Sequence, residues 1–325
     1  MGVKVDKNEK LSLMRTFLQS DTAPIFLVFI VFIIVVGFIQ PRFLMPMNIR
    51  NILIQVSITG MLALGMTLVM LSGGIDLSVG WFVSFVGCAM AYLMVAGLSI
   101  PVVVILGIFI SVLCSGVMGF IISRTKLEPF IVSLGFMIIF QGFTYLITKG
   151  SEISIGDTFK LLGRTFPLGI GMPVYVFISL AIFLGLMLKY TKFGRRIYAV
   201  GCNENAAYLA GINVKSFKLI IYIINGLLIS IAAMTQLSRL GTGNPLMGSG
   251  KEIDAIAAAV VGGTALSGGK GNILGTVIGI LLLGSITNAM NVIGISPHWQ
   301  YVFKGAVIVV SVTVSYYSSL KSSTL

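Results

Sequence analysis

The sequence predicts an all-α, polytopic membrane protein with about ten transmembrane helices and one short helix on the cytoplasmic side. Three observations carry that reading. Of 325 residues, 57% are hydrophobic and only 10% are charged, where a soluble domain has about 25% charged residues. Mean hydropathy is +1.03. The apolar residues also lie in long solid runs. At roughly 20 residues per spanning helix, ten runs use about 200 residues and leave about 125 for loops and tails. Such a chain is not a soluble globular enzyme, a disordered polymer or a secreted disulfide scaffold. An outer-membrane barrel is excluded too, because its strands alternate apolar and polar residues.

The elements follow in chain order. Residues 1–22 read as a cytoplasmic leader, basic and partly amphipathic, with Leu11, Met14, Phe17 and Leu18 on one face. The first apolar run, 24–40, ends at Gln40-Pro41 with no small-residue cleavage site, so it is an uncleaved span. Further runs fall at 53–72, 77–97, 100–123, 128–148, 172–190, 217–237, 253–268, 272–293 and 299–317. The third and fourth are separated by a tight connection at Gly97 to Pro101. The eighth is the weakest, since Ala255 to Gly263 is rich in small residues and suits a broken or half-length helix. Residues 23–320 thus form one transmembrane domain, and 321–325 a cytoplasmic tail.

A net charge of +12 would point a soluble protein towards nucleic acid. Here the basic residues gather between apolar runs, so topology explains them and no nucleic-acid partner is expected; the partner is lipid. With ten spans and the N-terminus inside, 14 of the 22 Lys and Arg fall on the inner side, most densely at 189–218. The other 8 are Arg42, Arg50, Lys149, Lys160, Arg164, Arg239, Lys251 and Lys304. The bias towards the inside places both termini in the cytoplasm. Of the three cysteines, Cys88 and Cys114 lie inside apolar runs and Cys202 in a basic loop, which gives no disulfide framework.

Two connections are long. The outer one, about 149–171, carries Gly, Ser, Asp and Pro and suits the docking of something extracytoplasmic. The inner one, about 191–216, encodes a two-turn helix outside the membrane. Asn203 is a good N-cap, Glu204 complements the positive helix end, Ala206, Ala207, Leu209 and Ala210 favour helix, and Gly211 stops it. A helix there does nothing for spanning and reads as a surface for a partner. Gly271, Gly275 and Gly279 follow the small-xxx-small spacing that lets helices approach closely, more simply within one subunit than between two. A faint echo links Leu71-Ser72-Gly73-Gly74 to Leu266-Ser267-Gly268-Gly269.

No catalytic or metal constellation emerges. The one histidine, His298, stands beside Trp299 at an outer boundary. Gly268-Gly269-Lys270-Gly271 lacks the earlier glycine and the following Ser/Thr of a phosphate loop. Of the ten carboxylates, Asp76, Glu252 and Asp254 lie at or inside membrane boundaries, where an ionisable side chain is a functional candidate. Helix capping is the stronger reading for each. With no mid-span acidic relay and no ATP loop, the chain reads as a pore powered by a partner and suited to a neutral, hydroxyl-rich solute. Phe130, Gln141, Thr144, Tyr145, Asn225, Asn288 and Asn291 are candidates along the spans, with interhelical hydrogen bonding as the alternative.

At this point several stretches form a pattern. Gly65-Met66-Thr67-Leu68-Val69 and Ser72-Gly73-Gly74-Ile75-Asp76-Leu77-Ser78-Val79-Gly80 are followed by Pro129-Phe130-Ile131 and Ser133-Leu134-Gly135. Then come Thr191-Lys192-Phe193-Gly194-Arg195, Asn203-Glu204 and Gly211-Ile212-Asn213-Val214, and later Glu252-Ile253-Asp254-Ala255 and Val261-Gly262-Gly263-Thr264. In this order they resemble the permease subunits of ribose-type ABC sugar importers along nearly the whole chain. The resemblance implies a multi-pass subunit of a prokaryotic plasma (inner) membrane, paired with a second permease copy or paralogue. It also implies cytoplasmic ABC ATPase subunits and a periplasmic or lipid-anchored sugar-binding protein. ATP and Mg would sit on the ATPases, and no cofactor on this chain. Asn203, Glu204, Ala207 and Gly211 would form the coupling helix, and Asp76, Phe130, Gln141, Thr144 and Asp254 would lie along the substrate pathway. Gln141-Gly142 departs from the Arg-Gly pair of many relatives. The wording around Asp76 is nearest ribose-like members, with xylose, galactose and autoinducer-2 importers as alternatives. A facilitator working without ATP is the rival outside the family.

Overall fold

The computed structural model describes residues 22–163 and 166–323. The amphipathic leader before Thr22, Arg164 and the end of the tail lie outside the described residues. The described residues are all-α apart from one two-residue strand pair. In order it forms α1 (Ala23–Ile39), α2 (Pro46–Leu71), α3 (Val79–Val95), α4 (Ile100–Arg124), α5 (Pro129–Thr148) and α6 (Met172–Tyr190). On one side of the bundle follow the short α7 (Lys192–Cys202) and α8 (Glu204–Leu209). Then come α9 (Val214–Leu240), α10 (Lys251–Val261), α11 (Ile273–Ile293) and α12 (Pro297–Ser323). Proline opens α1, α2, α4, α5 and α6 within the first two positions, where its missing N–H costs nothing and its fixed φ suits the helix.

Among the described residues six helices are long and apolar enough to cross a membrane: α2, α4, α5, α6, α9 and α11. Two more, α1 and α3, are apolar but only 17 residues long, about 25 Å at 1.5 Å per residue. The run expected as an eighth span is an 11-residue helix, α10, about 16 Å long and half the hydrocarbon thickness. The picture of about ten similar spans is thus met in part. The remaining length around α10 is non-helical backbone packed inside the protein.

The core centres on α2, which is buried without a break from Val56 to Leu71. In its most apolar stretch 89% of residues are buried, against 22% in α4 and 17% in α5, whose outer faces are apolar and suit lipid. Between α9 and α10 the chain enters the bundle along α3. Thr242 and Gly243 form strand β2, paired antiparallel with β1 (Ile153–Ser154) of the outer connection. Gly243 then packs on Cys88 and Ala91, and further on Gly248 packs on Gly80, its N–H donating to Ser84 Oγ at 3.0 Å. Helix α10 therefore begins within the bundle, level with the middle of α2 and α11.

The glycine spacing finds its partner inside the chain. Gly275 faces the Gly262 carbonyl and Gly279 the Ala258 carbonyl, so α10 and α11 touch backbone to backbone. A Cβ at Gly279 has no room, whereas one at Gly142 meets nothing within 4 Å. Gly279→Leu is accordingly expected to destabilise the protein by ~3 kcal/mol or more through overpacking, while Gly142→Ala leaves it unchanged. Thermal unfolding of the two variants in one detergent checks the contrast.

Candidate functional site

The short helix α8 is built as its residues dictate. Asn203 caps it, its Oδ1 accepting from the Ala206 N–H at 2.9 Å, and Glu204 in the first turn is ion-paired with Lys218 of α9. Gly211 adopts φ +83°, and its N–H reaches the Tyr208 carbonyl while Ile212 N–H reaches that of Ala207 at 3.0 Å. Ala207 is buried against the bundle, whereas Tyr208 and Leu209 are 70% and 85% exposed. An aromatic and an aliphatic side chain are thus held out on a fixed two-turn post, beside the basic residues of α7.

Behind this post three backbones meet. Gly201 of α7 lies on the Leu71 carbonyl at the end of α2, leaving no room for a Cβ. That same carbonyl accepts from Gly269 N–H at 3.1 Å, and Gly268 packs on Gly73. The two Leu-Ser-Gly-Gly stretches, a faint echo in the sequence, are therefore in contact. The node joins α7, the end of α2 and the loop between α10 and α11.

Asp76 is fully buried just after that node. Its Oδ1 accepts from the Ser78 N–H at 2.9 Å and the Ser78 hydroxyl at 2.6 Å, and its Oδ2 from Asn225 Nδ2 at 2.8 Å. Ser133 of α5 completes the lining, accepting from Leu77 N–H and donating to the Ile75 carbonyl. The carboxylate thereby holds the start of α3 and ties it to α9.

Asp254 stands elsewhere, in the first turn of α10, ion-paired at 2.7 Å with Lys304 of α12. The pair lies in a small cavity with Gln55, Thr59, Leu283 and Thr287. Lys304, counted from the sequence only as one more outer basic residue, lies about 10 Å along α12, and Lys251 next door donates to Thr59 Oγ1 at 3.5 Å. The cavity holds about 50 Å³, room for one or two waters and too little for a sugar ring.

The five residues expected along a substrate pathway are not brought together. Asp254 alone lines this cavity. Phe130 is exposed at the start of α5, Gln141 is half-buried, and Thr144 is buried with its hydroxyl bonded to its own helix at the Phe140 carbonyl, 2.7 Å away. Asn48 and Asn288 pair with each other, as do Asn291 and Gln300. Sequence reading missed Gln55, Thr59, Thr287 and Lys304. Lys304 had a signal, a lone cation within the last apolar run. Among the described residues no three His, Cys, Asp or Glu gather as a metal site.

A bundle of spanning-length apolar helices around one half-length helix, with a capped post outside them, is that of a multi-pass membrane protein. Residues 48–312 match the family described as branched-chain amino acid transport system / permease component, and the chain belongs to it. It is 42% identical over 290 residues to the ribose import permease protein RbsC of Bacillus subtilis, covering 88% of this chain and 90% of the relative. Identity to RbsC of Escherichia coli is 39% with the same coverage. The L-arabinose transport system permease protein AraH of Escherichia coli is 36% identical, with 94% of this chain and 93% of the relative covered. No solved structure matches the chain.

The Asp76 geometry predicts a sharp contrast. Asp76→Ala strands the Ser78 and Asn225 donors in the core, at ~1–3 kcal/mol for each unsatisfied group, and should yield little folded protein. Asp76→Asn, with the Asn225 amide turned to offer its unpartnered Oδ1, keeps each pair. It is expected to elute as a single species on size exclusion where Asp76→Ala aggregates.

Proposed function

We propose that the chain is the permease subunit of an ABC importer that carries a monosaccharide, a pentose and most readily ribose, across the plasma membrane. The observation that carries this is the near full-length relationship to permeases named for ribose and arabinose. On this reading the chain crosses the membrane ten times with both termini in the cytoplasm. The eighth crossing is made by α10 together with the loops on either side of it.

The ATPase would dock on α8, with Tyr208 and Leu209 filling its cleft and Asn203, Glu204, Ala207 and Gly211 fixing the helix that carries them. ATP and Mg would be bound by that partner. Motion of α8 would pass through Gly201 to the end of α2 and through Gly269 to the base of α11. The solute would move between two permease copies. Gln55 is exposed about 14 Å along α2, and the Asp254–Lys304 pair is about a quarter accessible. Such groups do not face hydrocarbon, and they suit a watered path shared with a second copy or a paralogue. The outer connection would receive a sugar-binding protein.

The test is reconstitution into vesicles with the ATPase that co-purifies with the tagged chain and with its sugar-binding protein. Ribose uptake that requires ATP is expected. Uptake by vesicles holding the chain alone, with no ATP, would replace the importer with a facilitator. Within the working complex, Glu204→Ala and Gly211→Val should leave insertion and ATP hydrolysis intact. Uptake should fall in both, and by about 5- to 30-fold in Gly211→Val, the ratio commanded by the ~1–2 kcal/mol cost of a strained left-handed turn. Unaltered uptake in both variants would remove α8 from the coupling role.

A further inference from the structure

A second cleft lies at the other end of the bundle from the outer loops, between the end of α6, the start of α7 and the start of α11. It encloses about 490 Å³ and is lined by Lys189, Arg195, Tyr198, Asn272, Leu188 and Leu274, among others. The range is that of a small-molecule site. Both cations are exposed, and neither is ion-paired among the described residues. Lys189 rests over the Tyr190 ring, 5.2 Å from its centre. No carboxylate lines the cleft.

The back wall is fixed. The Tyr198 hydroxyl donates to the Gly271 carbonyl at 2.8 Å, tying α7 to the start of α11. The Asn272 oxygen accepts from Gly275 N–H at 2.7 Å, which leaves its amide nitrogen as a donor at the edge. Towards the membrane the cleft is walled by Gly185, Leu188, Ile273 and Leu274, and one turn further along the same face of α6 Ile182 is exposed, as is Leu274 on α11. Its polar end therefore sits where these helices leave the hydrocarbon, with two uncompensated positive charges, and its other end is greasy.

We propose that this cleft binds an anionic phospholipid, its phosphate between Lys189 and Arg195 and its acyl chains along α6 and α11. Basic clefts between spanning helices at the headgroup level recognise such lipids, each cation contributing about 1 kcal/mol near the surface. A free phosphate shares the charge but has no use for the apolar wall. The assignment rests on α6 and α11 as membrane spans and not on which solute is carried, so its test is blind to transport.

The test uses the full-length chain purified in mild detergent and offered phosphatidylglycerol or phosphatidylcholine with identical acyl chains. Retained lipid is counted by native mass spectrometry. Wild type is expected to keep one phosphatidylglycerol per chain, in clear preference to phosphatidylcholine. Lys189→Gln and Arg195→Gln should each lower that retention about five-fold, and Arg196→Gln, outside the cleft, should not. Gly185→Leu, which fills the apolar end and spares both charges, should lower it as well. That variant keeps the test decisive if a charge variant fails to fold. Equal retention of the two lipids, or unchanged retention in the glutamine variants, overturns the proposal. Displacement of the lipid by excess inorganic phosphate, with Gly185→Leu inert, overturns it in favour of a free-anion site.

Discussion

Hydrocarbon offers no hydrogen bonds, and that constraint governs how this chain is built. Every backbone N–H and C=O at membrane depth needs a partner within the protein. Helices supply their own. The connection between α2 and α3 and the stretch leading into α10 do not, yet both lie inside the bundle. The Asp76 and Ser133 side chains serve the first, and Ser84 serves the second. Glycine is what lets the backbones come close enough for this arrangement, which accounts for its abundance better than flexibility does. α2 is correspondingly the most enclosed of the spanning-length helices, since it runs into the first of these stretches and packs against α9, α10 and α11.

The same close packing makes the end of the bundle beside α8 a rigid junction. Gly201, Leu71 and Gly269 meet through main chain, not through long side chains that could yield. Interiors packed at crystal-like density transmit displacement instead of absorbing it. Under the proposed function, a shift of α8 is therefore delivered to the best-buried helix in the molecule and to the base of α11 together. Neither can move while the other stays.

The legible part of this structure was the local part. The α8 caps at Asn203 and Gly211 were readable because each acts within four residues of itself. The Gly275 and Gly279 stripe was readable because its spacing is helical. Asp76 was readable as a helix-starting residue, but its partner Asn225 lies 149 positions away, and no local rule finds such a pair. Lys304 was counted only as one more outer basic residue because a hydropathy average over some 19 residues scarcely registers one cation within a run. Only the facing Asp254 explains its place at depth. Thr144 looked available to a solute because its back-bond to Phe140 is a rotamer choice that composition does not encode. The eighth apolar run was readable as a half-length helix from the small residues after Ala255, and α10 is that helix, but the packing of the loops on either side of it had no local signal.

The outer connection looks from its composition like a loose docking loop. It is stapled down. Ile153 and Ser154 pair with Thr242 and Gly243, Ile155 N–H bonds the Gly241 carbonyl, and Gly163 N–H bonds Ser238. All these anchors sit at the end of α9 and on the strand that descends into the bundle. A load applied to this loop is therefore not dissipated in solvent-exposed chain. It pulls on the tether above α10, so the outer surface and the half-length helix behave as the two arms of one lever.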